Sequence, residues 1–282
     1  MKHGFAHLSW YDFSRLQEAN NSFWKAVRQE CERKNPELKL KEELVRVLDS
    51  RELWNSPDCF FTQACGYDIE YRHDLPLVCL AAPIHEIPGC EGHLHSSFLV
   101  IKQESKAREI ADLLGSRAVI NCWMSNSGMN LLRHSLAPVA ASKENFLTSI
   151  EVSGAHRESL RMIQSDQADL ASIDCITWYH LKRFEPEELQ GLRILAQSAL
   201  CPMPPLCTST TTSKEDREIL LSSIERVLEL NANSQWVKDL GYNKVKRIDN
   251  SEYLALRRLH EEAVNLGYEI QPEQNQSSHG LT

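Results

Sequence analysis

The sequence predicts an α/β protein of two lobes, and three observations carry that expectation. Between residues 99 and 196 short apolar runs alternate regularly with amphipathic stretches, the pattern of a mainly parallel sheet covered by helices on both faces. The proline-rich segment Cys201–Leu206 (CPMPPL) suits neither a helix nor a strand and reads as a crossing between lobes. Beyond it the chain reads as helices with no sheet of their own, which are expected to pack on the N-terminal lobe. Residues 1–98 plus 197–270 then form lobe 1, residues 99–196 form an inserted lobe 2, and the polar stretch 271–282 is a disordered tail. Two α/β lobes joined by a double crossover enclose a cleft that a hinge can close.

Taken in order, Phe5–Tyr11 opens as a short strand. Ser14–Arg33 is an amphipathic helix, with Leu16, Asn20, Phe23, Val27 and Cys31 on one face. A second helix is expected over Leu38–Trp54, stopped by Asn55–Ser56–Pro57. Cys59–Gln63 is a buried strand with Ala64–Tyr67 as its exit loop, and Leu75–Ala82 is another strand, closed by Pro83. After a Gly-, Pro- and His-rich loop comes strand Ser97–Lys102. Helix Ala107–Leu114 ends at Gly115, and strand Arg117–Cys122 precedes helix Gly128–Ala137. A short helix near Ser142–Phe146 leads to strand Ser149–Val152, helix Arg157–Gln164, strand Ala168–Ile173, helix Cys175–Phe184 and strand Leu192–Ala196. Helices Lys214–Leu230 and Ser251–Leu266 follow, the latter closed by Gly267.

At 282 residues the chain is long enough for two cores. A net charge of −8 with no long Lys/Arg run excludes a general nucleic-acid binder. No apolar stretch approaches the length of a membrane span. The N-terminal MKHGFAHLSWYDFSRL lacks an apolar core and a small-residue cleavage site. As given, the sequence is therefore expected in the cytoplasm, with the periplasm as the alternative if a leader has been removed. The nine cysteines are scattered, odd in number and free of C-x-x-C spacing. That favours buried thiols in a reducing compartment, and the spacing leaves a Cys65–Cys90 bridge open.

Chemistry concentrates at the strand-to-helix corners. In Asn121–Arg133 (NCWMSNSGMNLLR), a strand is broken by Ser125, Asn126, Ser127 and Gly128 before a helix begins. Hydroxyls and free backbone N–H groups at the positive end of a helix dipole favour an anion, although serines there more often serve only as N-caps. His156 opens a helix at a second such corner, after Gly154–Ala155, on the carboxyl edge where parallel α/β sheets bind ligands. Asp174 ends a strand at a third corner, as an N-cap or as a partner for a ligand's proton or amine. Tyr11, Thr62, Gln63 and Tyr67 stand at strand ends of the other lobe, as rim or core residues or as a cleft wall. A buried tetrahedral oxyanion needs several converging donors of this kind.

Two other chemistries are conceivable. His85, Cys90, His93 and His95 share one loop and are plausible Zn²⁺ ligands, but their spacing matches no familiar zinc pattern. Cys65, His156 and Asp174 contain the residue types of a Cys–His–Asp hydrolase, but Cys65 lies in no nucleophile-elbow motif.

Seven short motifs line up in order: LSWYD at Leu8–Asp12, TQACGY at Thr62–Tyr67, PGCEG at Pro88–Gly92, and N-x-x-x-S-x-S-G at Asn121–Gly128. SGAHRES at Ser153–Ser159, ADLASID at Ala168–Asp174 and CPMPP at Cys201–Pro205 complete the series. Together, over about residues 5–210, they resemble the phosphate/phosphonate-binding proteins of ABC importers, which have the type II periplasmic-binding-protein fold. The resemblance is greatest to a leaderless branch that begins directly at the L-x-x-Y-D strand. His93 and His95 depart from it, standing where an aromatic residue is common. The resemblance implies non-catalytic capture of a phosphonate, phosphate or phosphate ester between two lobes, for an ABC importer or a leaderless sensor relative. It implies that Ser125, Asn126, Ser127, Gly128 and His156 grip the anionic head, and that Tyr11, Gln63, Tyr67 and Asp174 shape or orient the rest. The expected partners are the small oxyanion and an ABC transporter permease, without nucleic acid. The protein is expected to be a monomer with no cofactor, no metal and no catalytic residue.

Overall fold

Why the site residues meet follows from the order of the strands. The computed structural model describes residues 2–8, 10–47, 50–141, 143 and 146–270. The tail 271–282 lies outside them, as does most of the short helix expected near Ser142–Phe146.

Strand β1 (Lys2–His7) leads to α1 (Gln17–Lys34), where Phe23, Trp24, Val27 and Cys31 are buried at helical spacing. Then come β2 (Leu38–Leu40), α2 (Ser50–Trp54), β3 (Cys59–Gln63), α3 (Gly66–Tyr71) and β4 (Leu77–His85). Two short strands, β5 (Cys90–Glu91) and β6 (Leu94–His95), precede β7 (Ser97–Lys102), a 3₁₀ turn at Ile110–Leu113, and β8 (Ser116–Ile120). A π-helical turn (Asn126–Asn130) runs directly into α4 (Leu131–Ala140). Next are β9 (Leu147–Val152), α5 (His156–Gln164), β10 (Leu170–Asp174), α6 (Cys175–Phe184) and β11 (Leu192–Gln197). The chain continues through β12 (Cys201–Pro202), β13 (Leu206–Ser209), α7 (Lys214–Leu230), α8 (Gln235–Leu240), β14 (Tyr242–Arg247) and α9 (Leu254–Asn265).

These elements group into two compact units. Unit 1 comprises Met1–Ser96, Asp174–Glu187 and Leu200–Arg257; unit 2 comprises Ser97–Ile173, Glu188–Ala199 and Arg258–Thr282. The sequence reading assigns residues 258–270 to lobe 1, whereas they group with unit 2, and it assigns residues 175–184 to the middle lobe, whereas α6 groups with unit 1. Its first residue explains why: Cys175 N–H donates to Ser96 O at 3.0 Å, and its Sγ lies 3.4 Å from Cys90 Sγ.

In unit 1 the six-stranded sheet runs β14-β4-β13-β3-β1-β2. Strand β1 is parallel to β2 and β3, whereas β13 and β14 run antiparallel to their neighbours. Phe23, Trp24, Val27, Phe61, Leu220 and Ile224 pack into its core. In unit 2 the order is β11-β7-β10-β8-β9, with β8 parallel to β9 and β10 and β11 antiparallel to β7. Leu99, Ile101, Ile120, Leu132, Leu136 and Phe146 fill that core.

Several expectations are corrected. Leu38–Trp54 is not one helix: only Ser50–Trp54 is helical, whereas Leu38 and Leu40 alternate with exposed Lys39 and pair in parallel with β1, so period two wins there. Strand β4 continues through Pro83 to His85, because β14 is bulged between Tyr242 and Val245 where it pairs with that stretch. The segment beyond 201 does supply strands, β12, β13 and β14, the latter two joining the unit 1 sheet. Cys201 and Pro202 themselves form a two-residue strand against β6.

Candidate functional site

Strand β8 ends at Ile120, and the corner after it is held by its own residues. Ser125 caps the π-helical turn: its Oγ accepts the Gly128 N–H at 3.0 Å, and its carbonyl accepts the Asn130 N–H at 3.0 Å. The Gly128 amide, expected to be free for a ligand, is therefore occupied by the Ser125 cap. The Ser127 amide has no partner among the described residues. Gly128 is required for closeness, since a Cβ there would overlap Asn121 Oδ1, a buried oxygen with no hydrogen-bond partner among the described residues. π-turns of this kind occur often at functional sites.

The neighbouring corner is fastened to this one through the backbone. Ser153 N–H donates to Ile120 O at 2.9 Å and Gly154 N–H to Asn121 O at 3.0 Å. Gly154 has φ 89°, a conformation suited to glycine, and it delivers the chain to α5, which begins at His156. As a result Ser127 Oγ and His156 Nε2 lie 2.8 Å apart. Both residues are half-buried. If Nε2 carries the proton, it donates to Oγ and leaves the hydroxyl hydrogen for an acceptor outside the pair. A third strand locks the turn: Ser172 Oγ, on β10, donates to Ser127 O at 2.5 Å. Asn126 is buried, its Oδ1 accepting from Asn130 Nδ2 at 3.1 Å. Ser125, Asn126, Ser127, Gly128 and His156 are thus brought together in unit 2.

The other predicted residues belong to unit 1. Asp174 Oδ1 accepts the Ile176 and Thr177 amides at 3.1 and 2.8 Å, so it is the N-cap of α6. Tyr11 hydrogen-bonds to Asp174; burial first, and the Asp174 carboxylate second, push the Tyr11 phenol well above its ordinary value. Gln63 is buried and donates through Nε2 to Pro204 O at 3.1 Å. Tyr67 is buried against Tyr71, their rings 4.3 Å apart. Gln63 and Tyr67 flank Cys65, which is buried at the N-cap of α3.

In the loop with metal-ligand residue types, Cys90 and His95 are paired across β5 and β6 and both face Cys175, while the other two histidines meet other partners. His93 faces Glu252 and Lys246 at 3.4 and 3.2 Å, His85 lies against the Tyr242 ring, and Cys90 meets Cys175. Among the described residues no group of three His, Cys, Asp or Glu side chains is placed to hold a metal ion. All nine cysteines are free thiols, so no Cys65–Cys90 bridge forms.

Sequence reasoning missed four residues around the turn: Asn121, Ser172, Asn130 and Arg133. A weak signal existed for two of them. Asn130 and Arg133 fall four and seven residues after Asn126, a polar stripe in an otherwise apolar helix. Nothing local marks Ser172, whose role depends on two strands lying side by side.

The family model for the periplasmic substrate-binding protein of phosphonate ABC transporters matches residues 68–253. No curated protein matches the chain at a significant level. Among solved structures, a binding-protein component of an ABC phosphonate transporter from Pseudomonas aeruginosa aligns with TM-score 0.68. It is 17% identical, over 94% of this chain and 87% of that one. PhnD1 from Prochlorococcus marinus in complex with methylphosphonate gives 0.71 at 10% identity, over 94% and 99%. The periplasmic aliphatic sulphonate binding protein of Escherichia coli gives 0.57 at 12%, over 94% and 84%. These likenesses show the fold, that of the two-lobed periplasmic binding proteins. No helix among the described residues is long and apolar enough to cross a membrane. The matched family is non-enzymatic and periplasmic, and works with ABC transporter permeases. The chain belongs to this family of periplasmic substrate-binding proteins of phosphonate ABC transporters.

Proposed function

We propose that this protein binds a small oxyanion, a phosphonate, phosphate or phosphate ester, without transforming it, as the solute-binding component of an ABC importer or as a sensor relative. The observation that carries the reading is the Ser127–His156 pair, 2.8 Å apart at two adjoining strand-to-helix corners. The Ser127 hydroxyl, held by the imidazole, and the Ser127 amide, unpartnered among the described residues, supply donors at the start of a continuous helical run. In this reading Ser125, Asn126 and Gly128 build the turn that presents them. Tyr11, Gln63, Tyr67 and Asp174, all of unit 1, are further candidate ligand residues, Asp174 while it also caps α6. The protein acts as a monomer whose macromolecular partner is a permease.

The test is a thermal-shift screen of phosphonates, inorganic phosphate, sulfonates and phosphorylated metabolites. A ligand at a hundred times its Kd stabilises the folded state by about 2.7 kcal/mol, enough to raise the melting temperature by several degrees. The Ser127→Ala/His156→Ala double variant should melt near wild type without ligand and lose the ligand-induced shift. Retention of the full shift would overturn the assignment.

A further inference from the structure

Arg133, on the first turn of α4, is the one arginine or lysine among the described residues that is buried, at 4% exposure. Its Nη2 donates to Asn130 Oδ1 at 2.6 Å, and its Nε has no hydrogen-bond partner among the described residues. No carboxylate among the described residues lies within 4.0 Å of its guanidinium. Leu131, Leu132 and Leu136 beside it are fully buried. A guanidinium cannot shed its proton in a protein, and a buried charge without a counter-charge is costly. Its field reaches outward: it helps to lower the pKa of His260, second to burial.

The hydrogen bonds show where that charge is directed. Arg133 donates to Asn130, whose Nδ2 donates to Asn126 Oδ1 at 3.1 Å, and Asn126 opens the turn that carries Ser127. The Asn130 amide in this relay is polarised with its acceptor toward the cation and its donor toward the turn. We propose that Arg133 is a specificity-determining residue that acts on ligand charge, making the turn favour a doubly charged tetrahedral head over a singly charged one of the same shape. This rests on the reading that the turn holds an oxyanion. Arg133 does not touch the ligand; it acts through Asn130 and Asn126.

The test is calorimetric titration of methylphosphonate and methanesulfonate into wild type, Arg133→Met and Arg133→Lys at about pH 9, where an alkylphosphonate, less acidic than a phosphate ester, has also lost its second proton. Coulomb energy doubles with ligand charge, so Arg133→Met should weaken methylphosphonate roughly tenfold and methanesulfonate roughly threefold. Arg133→Lys, which keeps the charge, should preserve the wild-type ratio of the two affinities. Equal losses for both ligands, or none, would overturn the proposal. If Arg133→Met does not fold, wild type decides. Titrated at about pH 6 in buffers of different ionisation enthalpy, it should release a proton on binding methylphosphonate and none on binding methanesulfonate. Absence of that release overturns the proposal. If neither ligand binds wild type, the oxyanion reading itself falls and this inference with it; binding with equal losses removes this inference alone.

Discussion

Acidification should destabilise this protein well above the pH at which its carboxylates protonate. Burial holds His85 and His180 neutral, pushing their pKa values down to about 3 and about 4. The two side chains are 4% and 2% exposed, and His180 Nδ1 has no hydrogen-bond partner among the described residues. The unfolded chain binds protons at these histidines below about pH 6.5, while the folded chain does not. Their contribution is therefore fully present above pH 6.5 and is lost as pH falls from there toward 4 and 3. At pH 5, about 1.5 units below the unfolded value, each histidine costs about 2 kcal/mol and the pair about 4 kcal/mol. Carboxylates with lowered pKa, such as Glu188, Glu225 and Asp169, give up stability only as pH falls through about 4, so pH 5 isolates the histidines. Urea unfolding at pH 7.5 and pH 5 measures the loss, read by tryptophan fluorescence, since Trp10, Trp24, Trp54, Trp178 and Trp236 all belong to unit 1. His180→Phe, placed to stack on Phe184 as the imidazole does, should remove about half the loss. A wild-type change below about 1 kcal/mol, or an undiminished loss in His180→Phe, would refute the reasoning.

The remaining predictions concern the turn and the thiols. Gly128→Ala forces its new methyl against Asn121 and should cost about 1–3 kcal/mol in chemical unfolding, with loss of the ligand-induced thermal shift. Full binding by that variant would count against the turn. Ser172→Ala removes the donor to Ser127 O and should cost about 1 kcal/mol while weakening the oxyanion; an unchanged Kd would show that β10 does not set the turn. Asp174→Ala deletes the cap of α6 and should cost about 1–2 kcal/mol, whereas Asp174→Asn should restore most of it. With Cys90 and Cys122 alone partly exposed among nine free thiols, a thiol reagent should label two cysteines quickly in the native protein and nine after denaturation. Rapid native labelling of all nine would contradict the packing.

Much of the fold is legible in the sequence where burial follows a simple period. Helices α1, α5, α6 and α7 are visible as apolar faces, and β3 and β10 as short runs buried at every position. Strand β14 is not, because an edge strand reading YNKVKR has no position fully buried and no alternation to detect. Leu38–Leu40 is lost for a different reason: three residues are too few to separate period two from the helical pattern around them. At the site, the corners and their residue types are legible, since serine, glycine and histidine fall where strands give way to helices. What the chain alone conceals is who binds whom. Ser125 takes the Gly128 amide, Ser172 takes the Ser127 carbonyl, and Arg133 reaches the turn only through Asn130, because each of these contacts depends on tertiary placement or on the local π-turn.

The central claim is that Ser127 and His156 together hold an oxyanion. Calorimetric titration of methylphosphonate and inorganic phosphate into wild type and the Ser127→Ala/His156→Ala variant, both shown to unfold at the same urea concentration without ligand, tests it most directly. The account predicts saturable one-to-one binding of at least one of them to wild type and a loss of at least roughly a hundredfold in the variant, about two charge-assisted hydrogen bonds. Equal affinity in the two proteins would contradict it.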